Sequence, residues 1–336
     1  MKKYLLFFVI LIFTLSLYSV STTVSFNIKS YYDSNIINLS DDSRDNFIDS
    51  YNSEKYRIGS LDDWITSFNV GLAFKHRYFF NHTQKIKLRF TSDNYYYNSV
   101  KSNVKMAFSI KQYLSKRVNF GMAYSYYPKI YLRRYKSEFD TSNEYHDFTY
   151  AKNIYSIFSN VLPIKYLEFK FGINYSQLYY NEYFTEYDTN DTEFFGLLKT
   201  HCKDFITLQL SYGYKTSRQI NSDNDDAIKD PSADYNIYRV MLIIGVTDKL
   251  KDEFSVKYEE KYFNTKNPDD LYHCNRKDYK TIIKNSLTYK LSDKYLLKLF
   301  GEYERRNTIS NVQTVVDDKS YHTFKMGLNI GIKLKY

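Results

Sequence analysis

The chain is poor in the residues that break strands or staple a polypeptide covalently. Its 336 residues include only four prolines and two cysteines. Proline cannot donate to a sheet ladder, so its scarcity is compatible with long, uninterrupted strands. Two cysteines cannot supply the several disulfides of a small secreted domain. We expect Cys202 and Cys274 to stay unpaired, because the topology derived below places them at opposite ends of the molecule.

Long apolar runs are also scarce, and the mean hydropathy is negative. One run, Tyr4–Leu17, follows a basic start and precedes small polar residues. This is the layout of a secretory signal peptide, with cleavage expected after Ser19 or Ser21. An anchor helix is the alternative, but the run is shorter than the roughly 20 residues that a spanning helix needs. The sequence therefore predicts a signal peptide over 1–21 and one domain over 22–336.

Tyrosine and phenylalanine, in contrast, are abundant, and the C-terminal stretch shows how they are arranged. Apolar and polar residues alternate there without interruption, which predicts a β-strand with one apolar and one polar face. The apolar face carries Phe324, Met326, Leu328, Ile330, Ile332, Leu334 and Tyr336. The polar face carries Lys325, Gly327, Asn329, Gly331, Lys333 and Lys335.

A hairpin unit of strand, tight turn, strand and longer polar loop recurs from about residue 64 onward. Strands that leave the tight turns, such as Val118–Tyr126 and Ile206–Tyr214, place aliphatic residues first and tyrosines last on one face. A soluble core gives no reason to sort aromatic residues to one end, whereas a membrane interface does. Strands that return to the turns open with an aromatic residue: Trp64, Tyr150, Tyr238, Tyr279 and Tyr321.

Fourteen strands are predicted, and twelve or sixteen remain open because 148–161 and 192–201 are weakly patterned. The predicted strands are 22–32, 64–79, 84–96, 101–113, 118–131, 148–161, 166–180, 192–201, 204–216, 235–247, 252–263, 278–290, 294–306 and 321–336. The tight turns between them are Asn81–Thr83, Leu114–Arg117, Pro163–Tyr166, Cys202–Asp204, Thr247–Asp252 and Leu291–Lys294. The long connections are 33–63, 132–147, 181–191, 217–234, 264–277 and 307–320.

Asn329, Gly331, Leu334 and Tyr336 follow the order polar, any, glycine, any, any, apolar, any, aromatic. This order resembles the C-terminal assembly signal of bacterial outer-membrane β-barrel proteins, and the mature chain resembles that porin-like class as a whole. The resemblance implies an all-β, transmembrane, antiparallel up-and-down barrel with short periplasmic turns and long extracellular loops. It also implies that outer-membrane lipid and the barrel-assembly machinery are partners.

The face opposite the apolar one is small, polar or charged, as a water-filled lumen requires, and basic residues dominate it. A basic passage concentrates anions, although the residues near the rim could simply be solvated. Basic residues predicted to point inward are Lys85, Lys87, Arg89, Lys105, Lys170, Arg239, Lys257, Lys284 and Lys298, against Glu168, Glu259, Glu302 and Glu304. The candidate pore-lining residues are Arg89, Lys105, Lys170, Arg239, Lys257, Lys284 and Lys298.

The predicted function is a porin-like channel for passive diffusion of small solutes, with a preference for anions and no cofactor or metal. The alternatives are a non-conducting barrel that displays its loops for surface interaction or assembly, an outer-membrane enzyme, and a secreted soluble β-protein. The nearest candidate for a catalytic pair is His146 beside Asp147, but adjacency does not make a triad. Nucleic-acid binding is not expected, because the basic residues and the tyrosines alternate onto opposite faces.

Two further features of the outer loops have no definite interpretation from the sequence alone. The segment 33–63 is the longest connection, and it either caps the mouth of the barrel or folds into the lumen. Acidic clusters at Asp41–Asp42, Asp223–Asp226 and Asp317–Asp318 are read as solvated surface, with divalent-ion binding as the alternative. The oligomeric state is left open.

Overall fold

The computed structural model describes residues 21–48, 55–77, 82–137, 144–203, 205–220 and 228–336. The expected signal peptide over 1–21 lies almost wholly outside these residues. So do the acidic cluster Asp223–Asp226 and parts of the turns at Asn81 and Asp204. Within the described ranges, no helix has the length and apolar character needed to cross a membrane.

Fourteen antiparallel strands close into one barrel, in which every strand pairs with its neighbours in sequence and the first pairs with the last. The predicted fold is confirmed, including the two weakly patterned strands, which are here β6 and β8. The strands are β1 (Ser21–Asp33), β2 (Asp63–Arg77), β3 (Thr83–Tyr95), β4 (Asn103–Tyr113), β5 (Val118–Lys136), β6 (Tyr145–Ile164), β7 (Leu167–Tyr180), β8 (Thr189–Lys203), β9 (Ile206–Gln219), β10 (Ala233–Gly245), β11 (Leu250–Phe263), β12 (Lys277–Lys290), β13 (Tyr295–Ile309) and β14 (Tyr321–Lys335).

The two ends of the barrel differ in the length of their connections. Short turns join the strands at the periplasmic end, and longer loops at the other end carry two helices, α1 (Asp41–Ile48) and α2 (Gln313–Lys319). Cys202 lies near the turn after β8, and Cys274 lies in the loop between β11 and β12. Both are free, as predicted.

Alternation along the strands explains why the outer surface is apolar. Met122 and Ile157, for example, are 62% and 59% exposed, although they lie in the middle of long strands. So much exposed apolar surface would drive aggregation of a soluble protein, whereas it matches the hydrocarbon of a bilayer. The apolar face predicted for the C-terminal stretch lies on this outer surface.

The pairing of β1 with β14 closes the barrel and uses residues of the expected assembly signal. Thr22 and Tyr336 exchange two backbone hydrogen bonds, at 3.0 and 2.8 Å. Gly331 lies on the inner face, where a Cβ atom would come within 2.7 Å of Oδ1 of Asn27 and 2.8 Å of Cγ of Leu296. A side chain at this position would therefore disturb the closing strands. Recognition of the signal by the assembly machinery stays a prediction.

Tyrosines on the outer surface form cross-strand ladders toward the loop end. The rings of Tyr212, Tyr238, Tyr258 and Tyr279 follow one another at centroid distances of 5.3, 6.3 and 6.4 Å. Such tyrosine bands are typical of the headgroup level of a membrane, where a ring can face lipid and its hydroxyl can face water. A second ladder consists of Tyr124, Tyr155 and Tyr175, with centroids 5.1 and 6.3 Å apart.

Two tyrosines that the sequence grouped with these aromatics lie on the inner face instead. Tyr321 shares the face of Thr323 and Lys325, is buried, and donates a hydrogen bond of 2.5 Å to Glu304. Tyr150 is an odd number of residues from the outward Tyr155, and its ring lies 5.1 Å from that of Tyr180. The interpretation was wrong because it used position along the strand without checking the alternation.

We predict that Tyr258→Ala lowers the free energy of unfolding more than Tyr303→Ala does. Tyr258 contacts a ring on each side, whereas the outward Tyr303 has no ring partner in the described part of the chain. The two lost ring contacts are worth about 1 kcal/mol beyond the lost area. Urea titration in phospholipid vesicles measures the difference, and equal losses in the two variants would show that the ladder adds nothing.

Candidate functional site

On one side of the barrel, several basic side chains of the inner face form ion pairs with acidic ones, whereas Arg239 and Lys29 have no such partner in the described residues. We call this side, formed by β10–β14 and β1, the paired wall. Most of its pairs join neighbouring strands, and Lys298 reaches Glu253 two strands away at 2.8 Å. The other pairs are Lys257–Glu259 at 2.7 Å, Lys280–Glu304 at 2.6 Å, Lys284–Glu302 at 3.0 Å and Lys325–Asp33 at 3.4 Å.

On the other side, six inward basic residues have no such partners. We call this side, formed by β2–β7, the unpaired wall. Within the described part of the chain, no carboxylate lies within 4.0 Å of the charged nitrogen atoms of these residues. The residues are Lys85, Lys87, Arg89, Lys105, Lys111 and Lys170.

Aromatic rings, in place of carboxylates, hold several lysines of the unpaired wall. Nζ of Lys105 lies 4.9 Å from the ring centroid of Tyr127. Nζ of Lys170 lies 4.4 Å from that of Phe158 and 5.3 Å from that of Phe195. A ring attracts a cation through its quadrupole and carries no net charge, so it does not neutralise these ammonium groups. The two walls therefore differ in how their lysines are held.

The seven candidate pore-lining residues divide between the two walls. Arg89, Lys105 and Lys170 belong to the unpaired wall. The remaining four, Arg239, Lys257, Lys284 and Lys298, line one cavity of about 370 Å³ together with Glu253 and Glu302.

Sequence reasoning missed several members of both walls. Lys111 belongs to the unpaired wall, and Glu253 and Asp33 supply carboxylates to the paired wall. Lys111 alternates with the apolar Ile110 on β4, so the same two-residue rule could have found it. No rule of this kind finds Glu253 as the partner of Lys298, because the two strands are not neighbours.

The described parts of the first loop, residues 34–48 and 55–62, lie at the loop end of the barrel. Ile36, Ile37 and Leu39 of the loop are buried against Ile65 of β2. Three strands away, Nη2 of Arg133 on β5 donates to the carbonyl oxygens of Ile37 and Asn38, each at 3.2 Å. The question left open by the sequence is thus answered: the first loop folds inward and spans part of the mouth.

Helix α2 contacts the first loop and holds it in place. We call the first loop and α2 together the mouth cover. Asp318 accepts a hydrogen bond from Oγ of Ser43 at 3.2 Å and lies 3.9 Å from Arg133. Although burial opposes its ionisation, Lys319 and Arg133 hold the pKa of Asp318 well below its usual range. The reading of Asp317–Asp318 as solvated surface is wrong for Asp318, whose carboxylate links the cover to β5.

A second buried cluster fixes the loop between β11 and β12. Asp270, only 1% exposed, accepts hydrogen bonds from Nδ1 of His273 at 2.9 Å and from the backbone nitrogen of Asp230 at 2.8 Å. The ring of His273 lies 4.9 Å from that of Phe263. Burial lowers the pKa of His273, although the hydrogen bond to Asp270 opposes the change. This histidine is therefore neutral in the folded loop at neutral pH.

The sequence candidate His146–Asp147 is not brought together as a pair. The ring of His146 stacks on that of Tyr183 with centroids 3.7 Å apart, while Asp147 forms an ion pair of 2.6 Å with Arg57. Among the residues that the structure describes, no three His, Cys, Asp or Glu side chains cluster in a way that could hold a metal ion.

Replacing Asp318 with asparagine should loosen the mouth cover. Because folding lowers the pKa of Asp318, the stabilisation that its carboxylate contributes is fully present above the ordinary aspartate pKa, about 3.9. This stabilisation is lost only as the pH falls through the lower pKa of the folded state. Amide hydrogen exchange in 34–48 and α2 should therefore be unchanged by Asp318 titration between pH 5 and 8. In Asp318→Asn, exchange should be at least roughly tenfold faster.

Asp317→Asn is the matched control for this experiment. Asp317 is the next residue along α2, and its exposed carboxylate accepts a hydrogen bond from Gln313 of the same helix. If both variants exchange alike, Asp318 does not hold the cover.

Acidification should open the loop that contains His273. Because the pKa of His273 is lowered by folding, its neutral form supports the loop above about pH 6.5, and this support is lost as the pH falls through the folded value. Relative to the intrinsic exchange rate at each pH, hydrogen exchange of residues 264–276 should accelerate over that interval in the wild type. His273→Gln should remove the acceleration, whereas His201→Gln at the turn end should leave it in place.

Comparison with known proteins shows what this geometry resembles. No family model and no curated protein matches the sequence. Among solved structures, the outer membrane channel DcaP of Acinetobacter baumannii is 9% identical, with a TM-score of 0.52 over 94% of this chain and 97% of that one. The anion-selective porin from Comamonas acidovorans is 8% identical, with a TM-score of 0.48 over 94% and 100% of the two chains. At such identities the likeness concerns the fold alone, and this chain has the fold of the bacterial outer-membrane β-barrels, as its sequence predicted.

Proposed function

We propose that the protein is a porin-like channel that lets small solutes diffuse passively across the outer membrane and favours anions. The observation that carries this proposal is the group of six basic residues on the unpaired wall. None of the six has a carboxylate partner in the described residues, whereas five lysines of the paired wall form ion pairs. A low-dielectric wall of one sign raises the local concentration of the opposite ion.

The spacing of the charges on β3 supports movement from one to the next. Lys85, Lys87 and Arg89 are alternate residues, so their Cα atoms are about 6.8 Å apart along the strand. This interval is shorter than the screening length of about 8 Å at physiological salt. An anion that leaves one of these groups is therefore still attracted by the following one. Lys105, which pairs in register with Thr91, continues the series on β4.

The mouth cover sets the size of the solutes in this proposal. The mouth cover lies over the strands β1–β6, and solutes enter the barrel beside it. The channel needs no cofactor and carries out no reaction. The chain is exported by means of a signal peptide, which is then cleaved. The barrel-assembly machinery inserts the mature chain into outer-membrane lipid.

The second candidate function is a non-conducting barrel that presents its loops to a partner at the cell surface. The observation that favours it is the mouth cover itself, since Arg57 and Arg133 tie the first loop to β5 and β6. A rigid, covered mouth is a suitable platform for surface interaction. The two functions make opposite predictions about conductance.

The test is the conductance of the refolded mature chain in a planar bilayer, with the reversal potential measured under a potassium chloride gradient. We expect steady ohmic steps and a preference for chloride. Lys85→Gln/Lys87→Gln/Arg89→Gln should lower the chloride-to-potassium permeability ratio by about fivefold or more, since one charge at 4 Å is worth about 1 kcal/mol even in water.

Lys284→Gln/Glu302→Gln is the control, because it removes an inner-face ion pair without changing the net charge. It should leave the permeability ratio unchanged. Steady steps without anion preference would contradict the role of the unpaired wall. Absence of current in both the wild type and Asp318→Asn would contradict the channel and favour the second candidate.

A further inference from the structure

Residues that lie directly opposite one another on successive strands form a row along the inner face. This row begins with lysines and continues with alternating glycine and phenylalanine. Lys75, Lys85 and Lys111 lie directly opposite one another on β2, β3 and β4. Directly opposed residues of antiparallel strands point to the same side of the sheet, so the whole row faces the lumen. From Lys111 the row continues on β5–β8 with Gly121, Phe158, Gly172 and Phe195.

The glycines let the ring of Phe158 lie along the wall. A Cβ atom at Gly121 would overlap Cζ of this ring and come within 2.9 Å of Cε1, and one at Gly172 would come within 2.8 Å of Cβ of Phe158. The ring therefore occupies the space that a side chain at Gly121 would need. Covering a glycine is a known structural role of aromatic residues in sheets, but that role does not require lysines beside the ring.

Two lysines are held against these rings, and we call Lys111, Phe158, Lys170 and Phe195 the aromatic–lysine patch. Nζ of Lys170 lies between the two rings, 4.4 and 5.3 Å from their centroids, and Nζ of Lys111 lies 5.7 Å from the centroid of Phe158. Glu168, two residues from Lys170, instead forms an ion pair of 3.9 Å with Lys199 of β8. Two like charges beside apolar rings, with no acid paired to them, form a site that an anion would complete.

We propose that the aromatic–lysine patch binds organic anions that carry a flat apolar ring, that is, aromatic carboxylates. The carboxylate would meet the ammonium groups of Lys111 and Lys170 in charge-assisted hydrogen bonds. The ring of the ligand would contact Phe158 and Phe195, which supply the offset or edge contacts that aromatic groups prefer. An inorganic anion gains nothing from the rings, and a neutral aromatic compound gains little from the charges.

The row connects this patch to the anion passage of the proposed function. The present inference rests on that proposed function. Lys75 lies two residues before Arg77, where β2 ends, whereas Phe195 lies eight residues before Lys203, where β8 ends. The row thus climbs from the periplasmic rim into the lumen, as expected where tilted strands are crossed at right angles. Lys75 and Lys85 at its lower end lead anions toward or away from the patch.

The test is isothermal titration calorimetry of the refolded mature chain in detergent micelles, which does not depend on conductance. The ligands are benzoate, cyclohexanecarboxylate, acetate and benzamide. We expect benzoate to bind most tightly, with acetate and benzamide weaker by about tenfold, since one lacks the ring and the other the charge. Circular dichroism confirms that each variant keeps its strand content.

Variants at the patch separate its two components. Phe158→Leu keeps an apolar side chain but removes the ring, and it should weaken benzoate by about fivefold and abolish the preference over cyclohexanecarboxylate. Lys170→Gln should weaken both carboxylates alike. Gly121→Ala removes no contacting group but displaces the ring of Phe158, and it should reproduce part of the effect of Phe158→Leu.

Phe300→Leu is the matched control. Phe300 also lies under two lysines, Lys29 at 4.2 Å and Lys284 at 5.5 Å, but it is only 8% exposed and belongs to the paired wall. Its replacement should leave benzoate binding unchanged. Equal effects of Phe158→Leu and Phe300→Leu would overturn the proposal, as would benzoate binding no tighter than acetate.

The outcomes also separate this inference from the proposed function. Anion-selective current without a preference for benzoate overturns the patch and leaves the channel standing. Ring-dependent benzoate binding in a barrel that passes no current overturns the channel and leaves the patch as a binding site.

Discussion

The hydrogen bonds between β1 and β14 are the constraint on which the rest of the structure depends. A sheet in lipid has no water to satisfy the backbone groups of an open edge, and each unsatisfied group costs several kcal/mol. Closure removes both edges at once and fixes which residues face outward. The inner face of β14 has glycine at Gly331, where a Cβ atom would press against the side chains of Asn27 on β1 and Leu296 on β13.

Closure of the barrel also places charged side chains on its inner face. Inward lysines need something that restrains their long side chains, and this barrel uses two different means. Carboxylates on the paired wall restrain the lysines and cancel their charge, as in Lys298–Glu253. Rings restrain other lysines and leave the charge in place, as in Lys170 beside Phe158 on the unpaired wall and Lys29 beside Phe300 on the paired wall. The number of lysines on a wall is thus a poor measure of its potential.

The sequence predicted the strands well, because strict alternation and tight turns are local properties. The prediction failed for Tyr321 and Tyr150, where the position of an aromatic residue was read without its alternation. It could not foresee the role of Asp318, whose partners Ser43 and Arg133 come from distant parts of the chain. The alternation of Gly121, Phe158, Gly172 and Phe195 was equally invisible, because it exists only once the register of four strands is known.

The ion pairs of the paired wall have a consequence for molecules that carry no net charge. Where a lysine and a carboxylate lie side by side, as at Lys284 and Glu302, the local electric field runs along the wall from one group to the other. A dipolar molecule beside such a pair turns its negative end toward the lysine and its positive end toward the carboxylate. The paired wall would therefore hold zwitterions and polar neutral molecules in one orientation.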